Sequence, residues 1–342
     1  MKIVVTGASG RTSRKIADNL LARGISAVDL ILVSRSPERA ELAPYAAAGA
    51  VLRYGDFTDL ASLPQALAGG ERMYLMPMNH PPNVIDEAAV KCAVVSAARS
   101  AGIRYCVYQS FIAAGSARSS DDDLATENAL KASGMNWSIL RTAIFAESLG
   151  RECKRYIREG RIPASDPFAA RAYVTRDDIA AAGAELLIGS GHEGKTYNAV
   201  GAVITMQELA AVLSQLSGRT VEIVASDRSV WAGGIAAPPS DLPRLVGRPG
   251  HSVLDQLREN KRELLTGVPV GGEVKFGFQW QARGLETRPE DIGLRMHRLH
   301  AAAKAGDEAA AAEFAALLGE NPIRSEAWRY AHPDWFSGES KN

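Results

Sequence analysis

Cysteine is scarce in this 342-residue chain: Cys92, Cys106 and Cys153 are the whole complement. Three thiols without metal-ligand spacing exclude a disulfide framework and fit a reducing cytoplasm. Net charge is missing as well, because 39 lysines and arginines balance 39 aspartates and glutamates. Such a balance argues against general electrostatic capture of nucleic acid or of an anionic membrane. No apolar run approaches the length of a membrane span. The first strand reads from residue 2, so no signal peptide is expected. What remains is an ordinary soluble composition, long enough for one large domain with an appendage or for two domains.

What is present starts at once. Ile3 to Val5 is a short apolar run rich in β-branched residues, as in a buried parallel strand, and it ends at Gly7. Ile16, Leu20 and Leu21 then recur at helical spacing. Between strand and helix, Gly7 and Gly10 allow a sharp bend and close approach of a ligand to the backbone. The free amides and positive dipole end of the helix suit a diphosphate. Ser13 stands where the dinucleotide fingerprint carries its third glycine, so the motif alone is a weak match whose ordinary alternative is a plain strand-turn-helix corner.

Taken in order, the chain keeps alternating. A second strand is expected over 28–33, and Arg35 at its tip favours a 2′-phosphate, hence NADP(H) over NAD(H), with Arg11 and Arg39 as helpers. Ser36-Pro37 reads as a helix start. A third strand over 50–56 ends at Asp56, which either accepts from an adenine amino group or caps the helix over 62–67. The fourth strand, 72–76, runs into Pro77-Met78-Asn79-His80-Pro81-Pro82, where the nicotinamide half of a cofactor should pass; His80 is either an acid there or a loop residue. A helix over 85–101, a fifth strand over 105–110, a helix over 124–132 and a strand over 137–141 follow, then a strand over 172–174 and a helix over 177–189. This alternation with short connections predicts an α/β fold: a doubly wound parallel sheet with a smaller C-terminal region. The expected division is 1–150 for dinucleotide binding, 151–265 for the remaining core and substrate region, and 266–342 for a mainly helical extension.

Several strings in the right order carry a resemblance: Thr6 to Gly10, Tyr108-Gln109-Ser110, Ala125 to Gly134, Ile139-Leu140-Arg141, Gly191 to Asn198 and Thr205 to Ala210. Together they resemble the NmrA-like branch of the atypical short-chain dehydrogenase/reductases, and within it the NADPH-dependent quinone reductases and triphenylmethane-dye reductases. The likeness covers roughly residues 1–225, and Leu242 to Leu257 resembles the family's closing segment. It implies that Gly7, Ser9, Gly10, Arg11 and Thr12 hold a diphosphate, Arg35 a 2′-phosphate, and Asp56 with Phe57 the adenine. Met76, Pro77, Ser110 and Phe111 would flank the nicotinamide, while Asn79, His80, Arg141, Ala143 and Phe145 would line or support the substrate mouth.

The departures from the pattern are informative. Ordinary members of the superfamily use a Tyr-x-x-x-Lys pair to protonate the substrate oxygen. Aligned on Glu127, those positions are Ser119 and Asp123, so the pair is absent. Asp123 then reads as a cap for the helix from Leu124, with Ser110, Tyr108, His80 and Asp123 as the catalytic candidates. The chain also runs on past the family's usual end and the helix that follows it, expected over 252–265: 273–281 alternates as a strand would, 289–318 has helical spacing, and Trp328, Tyr330, Trp335 and Phe336 make an aromatic tail. That tail should be buried on the substrate side, on the sheet domain or on a second subunit of a homodimer. His297 and His300 have no evident third ligand, and no metal site is expected. The leading expectation is a cytoplasmic NADPH-dependent reductase of a small conjugated or carbonyl-type molecule. The alternative is a redox-inactive NADP-binding sensor acting through a protein partner.

Overall fold

The computed structural model describes residues 1–77, 87–114, 121–164, 166–168, 170–226, 237–266 and Ala309. Asn79, His80, Ser119, the 273–281 strand, the 289–318 helix with His297 and His300, and the aromatic tail lie outside the described residues. The chain divides into two units, Met1–Pro77 with Ala88–Gly277, and Met78–Glu87 with Phe278–Asn342. The first carries the fold that follows.

Its first half alternates without a break: β1 (Ile3–Val5), α1 (Arg11–Ala22), β2 (Leu30–Ser34), α2 (Ala43–Ala47), β3 (Val51–Tyr54), α3 (Leu63–Leu67), β4 (Arg72–Leu75), α4 (Glu87–Ser100), β5 (Tyr105–Phe111), α5 (Asp121–Ala132) and β6 (Asn136–Thr142). The second half adds β7 (Ile144–Phe145), α6 (Leu149–Glu159), β8 (Arg161–Ala164), β9 (Ala170–Val174), α7 (Arg176–Ile188), β10 (Lys195–Ala199), β11 (Ala202–Thr205), α8 (Met206–Ser217), β12 (Glu222–Ala225), α9 (Leu242–Val246), α10 (Val253–Glu259) and α11 (Lys261–Thr266). Seven strands form one parallel sheet in the order β10-β6-β5-β4-β1-β2-β3, with Val4 opposite Ile31 on one side and Met73 on the other. Two small sheets, β11-β9-β7 and β12-β8, stand apart from it.

Successive residues of a strand face opposite layers, and the core divides accordingly. Ile3, Val5, Tyr74 and Val107 pack with Ile16 and Leu20 of α1 and Leu186 of α7. Val4, Val33, Met73 and Tyr108 pack with Leu67 of α3, Val94 of α4 and Leu130 of α5. A third cluster joins α6, α8 and α10 through Cys153, Tyr156, Leu213 and Leu257. Helices α1 and α7 lie side by side, tied by Lys15–Asp177 at 2.7 Å and Arg23–Glu185 at 2.5 Å.

Several boundaries differ from the sequence reading, and four of the differences have a visible local cause. Val28 is exposed and belongs to a 3-10 turn, so β2 starts at Leu30. No helix starts at Ser36-Pro37; Pro44 takes the early position instead, in α2. The chain over 252–265 breaks at Asn260 into α10 and α11. Finally, α5 is already helical at Asp121, ahead of Leu124, which places Asp123 inside the helix and removes it from the capping position.

Candidate active site

The turn after β1 is held open by its neighbours. Gly7 adopts φ +61°, a conformation costly to any residue with a Cβ, and a Cβ there would also press on Met76 Cγ at 3.3 Å. At Gly10 an added Cβ would stand 3.0 Å from the Gly7 carbonyl oxygen. The Gly10 amide donates to that oxygen at 2.8 Å, closing the turn. Thr6 ties the turn to the next strand across: its hydroxyl donates to the Tyr74 carbonyl at 3.1 Å and accepts from the Met76 amide at 2.9 Å. Ser13 Oγ donates to the Thr6 carbonyl at 2.9 Å, so the residue in the third glycine's place is part of the corner. Gly10 caps α1 without a side chain, leaving first-turn amides for a ligand. The result is a backbone cradle that side chains would fill, and it fits a diphosphate. Arg11 and buried Thr12 open the helix beside it.

At the tip of β2, Ser34 Oγ donates to Ser9 Oγ at 3.1 Å and accepts from the Ser36 amide. Arg35 is exposed and makes no hydrogen bond or ion pair among the described residues. Arg39 is engaged elsewhere. Its guanidinium donates twice to Glu41, at 2.9 and 3.3 Å, and these bonds hold the Glu41 carboxyl below its usual range. Asp56 accepts from the amide and hydroxyl of Thr58, both at 2.8 Å, so its side chain closes a turn and does not cap α3; Phe57 packs beside it on the core.

The carboxyl ends of β4, β5 and β6 carry the groups of chemical interest. Met76 and Pro77 follow β4 and are half-buried. On β5, Tyr108 and Ser110 point to the α5 side, and each donates its hydroxyl proton to a carboxylate one helical turn from the other. Tyr108 Oη donates to Asp123 Oδ1 at 2.7 Å, and Lys91 Nζ of α4 stands 3.4 Å from the same oxygen. Burial and then the Asp123 charge push the Tyr108 hydroxyl far above its ordinary pKa. Ser110 Oγ donates to Glu127 Oε1 at 2.7 Å. Arg141 of β6 grips the same carboxylate with Nε at 2.8 Å and Nη2 at 2.7 Å, and Lys131 Nζ lies 3.4 Å away. Glu127 is 0 % exposed. Burial alone would raise its pKa, but the hydrogen bonds from Arg141 and Ser110 and the two cations hold it below the ordinary range. Ala143 is buried in the core and its amide donates to the Ala199 carbonyl at 3.1 Å. Phe145 is half-buried with the Arg176 guanidinium 4.8 Å from its ring centre. Glu147 accepts from the Arg176 amide at 2.9 Å and faces its guanidinium at 3.2 Å. Phe111 closes β5.

Cradle, Arg35 and strand ends therefore line one edge of a sheet whose order reverses between β1 and β4, the place where such folds bind dinucleotides. A family model described as NAD(P)H-binding matches residues 7–188. The chain belongs to this NAD(P)H-binding family. It is 30% identical to quinone oxidoreductase 2 of Escherichia coli over 64% of its own length and 76% of the relative's. An NmrA-like family domain-containing oxidoreductase of Aspergillus flavus is also 30% identical, over 68% of this chain and 78% of that one. Among solved structures, the triphenylmethane reductase of Citrobacter sp. complexed with NADP(H) superposes with a TM-score of 0.66 at 27% identity, covering 76% of this chain and 99% of that one. The protein is thus an NAD(P)H-dependent oxidoreductase with a Rossmann-like fold. No helix among the described residues is long and apolar enough to cross a membrane.

Three polar pairings in this oxidoreductase escaped the sequence reading. Lys91 sits in an otherwise apolar stretch of α4, and its partner lies 32 residues away. Arg176 and Glu147 meet across a gap of 29 residues. Glu127 was visible only as an alignment anchor, although Arg141, named for the substrate mouth, turns out to be its partner.

Proposed function

We propose that this oxidoreductase is an NADPH-dependent reductase of a small conjugated or carbonyl-type electrophile, such as a quinone, enone, imine or dye-like cation, and that it works without a Tyr-x-x-x-Lys pair. Bound in the cradle, the reduced nicotinamide supplies the hydride. Gly7, Ser9, Gly10, Arg11 and Thr12 hold the diphosphate through backbone amides and charge. Arg35 takes the 2′-phosphate, and its exposure and lack of a carboxylate partner among the described residues support NADP(H) over NAD(H). Asp56 and Phe57 border the adenine. Met76, Pro77, Ser110 and Phe111 border the nicotinamide, and Phe145 offers a ring face to a flat acceptor.

The observation that carries the reading is the direction of two hydroxyls. Tyr108 and Ser110 both give their protons to carboxylates. Neither can protonate an oxygen that gains electrons. An acceptor that spreads the incoming charge by conjugation needs no proton in the same step, so positioning and exclusion of water supply the rate. Relatives named for quinone, triphenylmethane and azo reduction support this class. The test is turnover of NADPH and NADH, followed by cofactor absorbance, with a panel of quinones, enones, imines and triphenylmethane or azo dyes. NADPH oxidation with several flat acceptors is expected. Tight NADPH binding with no turnover of any acceptor would overturn the reading in favour of a sensor.

A further inference from the structure

Hydrogen-bond valence at Ser110 says more than the position of its oxygen. An ionised carboxylate only accepts. Glu127 is fully buried and held by two N–H donors of Arg141, so the Ser110 proton must lie on the Ser110–Glu127 bond. A serine hydroxyl has one proton and two lone pairs. With its proton committed, Ser110 Oγ retains only accepting capacity, and among the described residues no group donates to it. The arrangement repeats two residues earlier: Tyr108 gives its proton to Asp123, which Lys91 faces. Along this face of β5, hydroxyls are paired with carboxylates, and each carboxylate is paired with a cation from another element.

Resting on the reading of the cradle as an NADPH site, we propose that Ser110 acts on its ligand solely as a hydrogen-bond acceptor, so that the group lying against it is an N–H or O–H donor and not the oxygen being reduced. Two molecules at this edge can supply such a donor: the carboxamide N–H of the cofactor, or a donor group on the substrate. In either case Ser110 is a positioning and selecting residue. It fixes the plane of a donor-bearing group beside the ring, and it rejects a bare carbonyl oxygen at that spot, where two lone pairs would face each other.

The experiment compares wild type, Ser110→Ala and Ser110→Thr, each first checked for an unchanged circular dichroism spectrum and melting temperature within a few degrees. Binding of oxidised NADP and of its 3-acetylpyridine analogue, whose methyl ketone lacks the N–H, is measured by calorimetry. If the carboxamide is the donor, Ser110→Ala weakens NADP about fivefold, leaves the analogue unchanged, and Ser110→Thr restores the difference. If the substrate supplies the donor, both nucleotides bind all variants equally, and Ser110→Ala raises KM about fivefold for acceptors with an N–H or O–H but not for their N- or O-methylated counterparts. A tenfold or greater fall in kcat for a donor-free quinone, with cofactor binding intact, would overturn the proposal, because it would show Ser110 donating to the nascent oxyanion. Equal behaviour of all three proteins in every arm would overturn it too. Failure of wild type to bind either nucleotide would instead sink the reading of the cradle.

Discussion

Replacing Arg141 by methionine isolates a buried charge with several partners, Glu127. Glu127 is 0 % exposed and takes two of its bonds from Arg141, at 2.7 and 2.8 Å, and one from Ser110. Stripping one partner from a fully buried pair costs about 3–5 kcal/mol. Two features lower that figure here. The Arg141 side chain is 26% exposed, so water reaches the vacated space, and Lys131 remains 3.4 Å from the carboxylate. The expected loss is therefore about 2–3 kcal/mol near pH 8. Its pH dependence follows from the direction of the shift. In the wild type the Glu127 carboxyl is held below its unfolded value, so its contribution is present above the unfolded pKa and is lost as pH falls through the folded one. Without the guanidinium, desolvation dominates and the folded pKa rises above the unfolded one. The variant then carries a penalty at high pH that is relieved as pH drops and Glu127 protonates. Urea unfolding at pH 5 and pH 8 reads the difference, and the deficit should be clearly smaller at pH 5. The double variant Arg141→Met with Glu127→Gln should recover part of the loss at pH 8 and show little pH dependence. An equal deficit at both pH values, or a double variant no more stable than the single one, would refute the reasoning.

Three further outcomes are expected. Arg35→Ala should weaken NADPH about tenfold or more while leaving NADH within twofold, measured by fluorescence titration, because one charge-assisted pair with the 2′-phosphate accounts for roughly that much. Tyr108→Phe should keep kcat within about twofold, since a hydroxyl committed to Asp123 transfers no proton to substrate, and should cost about 1 kcal/mol in unfolding; loss of turnover at intact stability would restore Tyr108 as the acid. Gly7→Ala should lower stability by about 1–2 kcal/mol from φ +61° alone and weaken cofactor binding further as Met76 is displaced, read by melting with and without NADP.

Much of the architecture was legible because it depends on local patterns. Apolar runs such as Ile3–Val5 sit in the middle of a sheet and are buried on both sides, so nothing competes with their strand preference. Misplaced boundaries trace to signals that tertiary structure overrode. Val28 has a strand-former's side chain but lies exposed in a turn, and Pro37 has a helix-starter's ring but Pro44 does the starting. Asp123 looked like a cap because acids cluster ahead of Leu124; the same acids are part of α5 itself, toward its N-terminal side, where negative charge suits the helix dipole. The cradle was legible for the same reason as the strands, since Gly7 and Gly10 are contiguous with β1. The cation assigned to each carboxylate was not, because a pair such as Lys91 with Asp123 exists only once β5 has brought α4 and α5 together.

That pairing bears on the proposal that the fold reduces its acceptor without a Tyr-x-x-x-Lys pair. In the usual arrangement tyrosine and lysine share one helix, and the lysine charge makes the tyrosine acidic enough to give up its proton. Here a tyrosine on β5 and a lysine on α4 have an aspartate of α5 between them. Burial first, and then the negative charge of Asp123, raise the tyrosine pKa where a neighbouring lysine would lower it. Three residue types that could form an acid relay are arranged in the order that prevents one. The hydroxyl is locked as a donor, the carboxylate is compensated, and the lysine is held by the aspartate. Serine and glutamate one turn along do the same with an arginine. Changing the intervening carboxylate tests this: Asp123→Asn removes the opposing charge, the second cause of the raised Tyr108 pKa after burial, and no longer binds the hydroxyl proton as an anion, so a rise in turnover of a simple carbonyl acceptor would show an acid gained at this edge, whereas an unchanged rate would mean that burial alone keeps Tyr108 from acting.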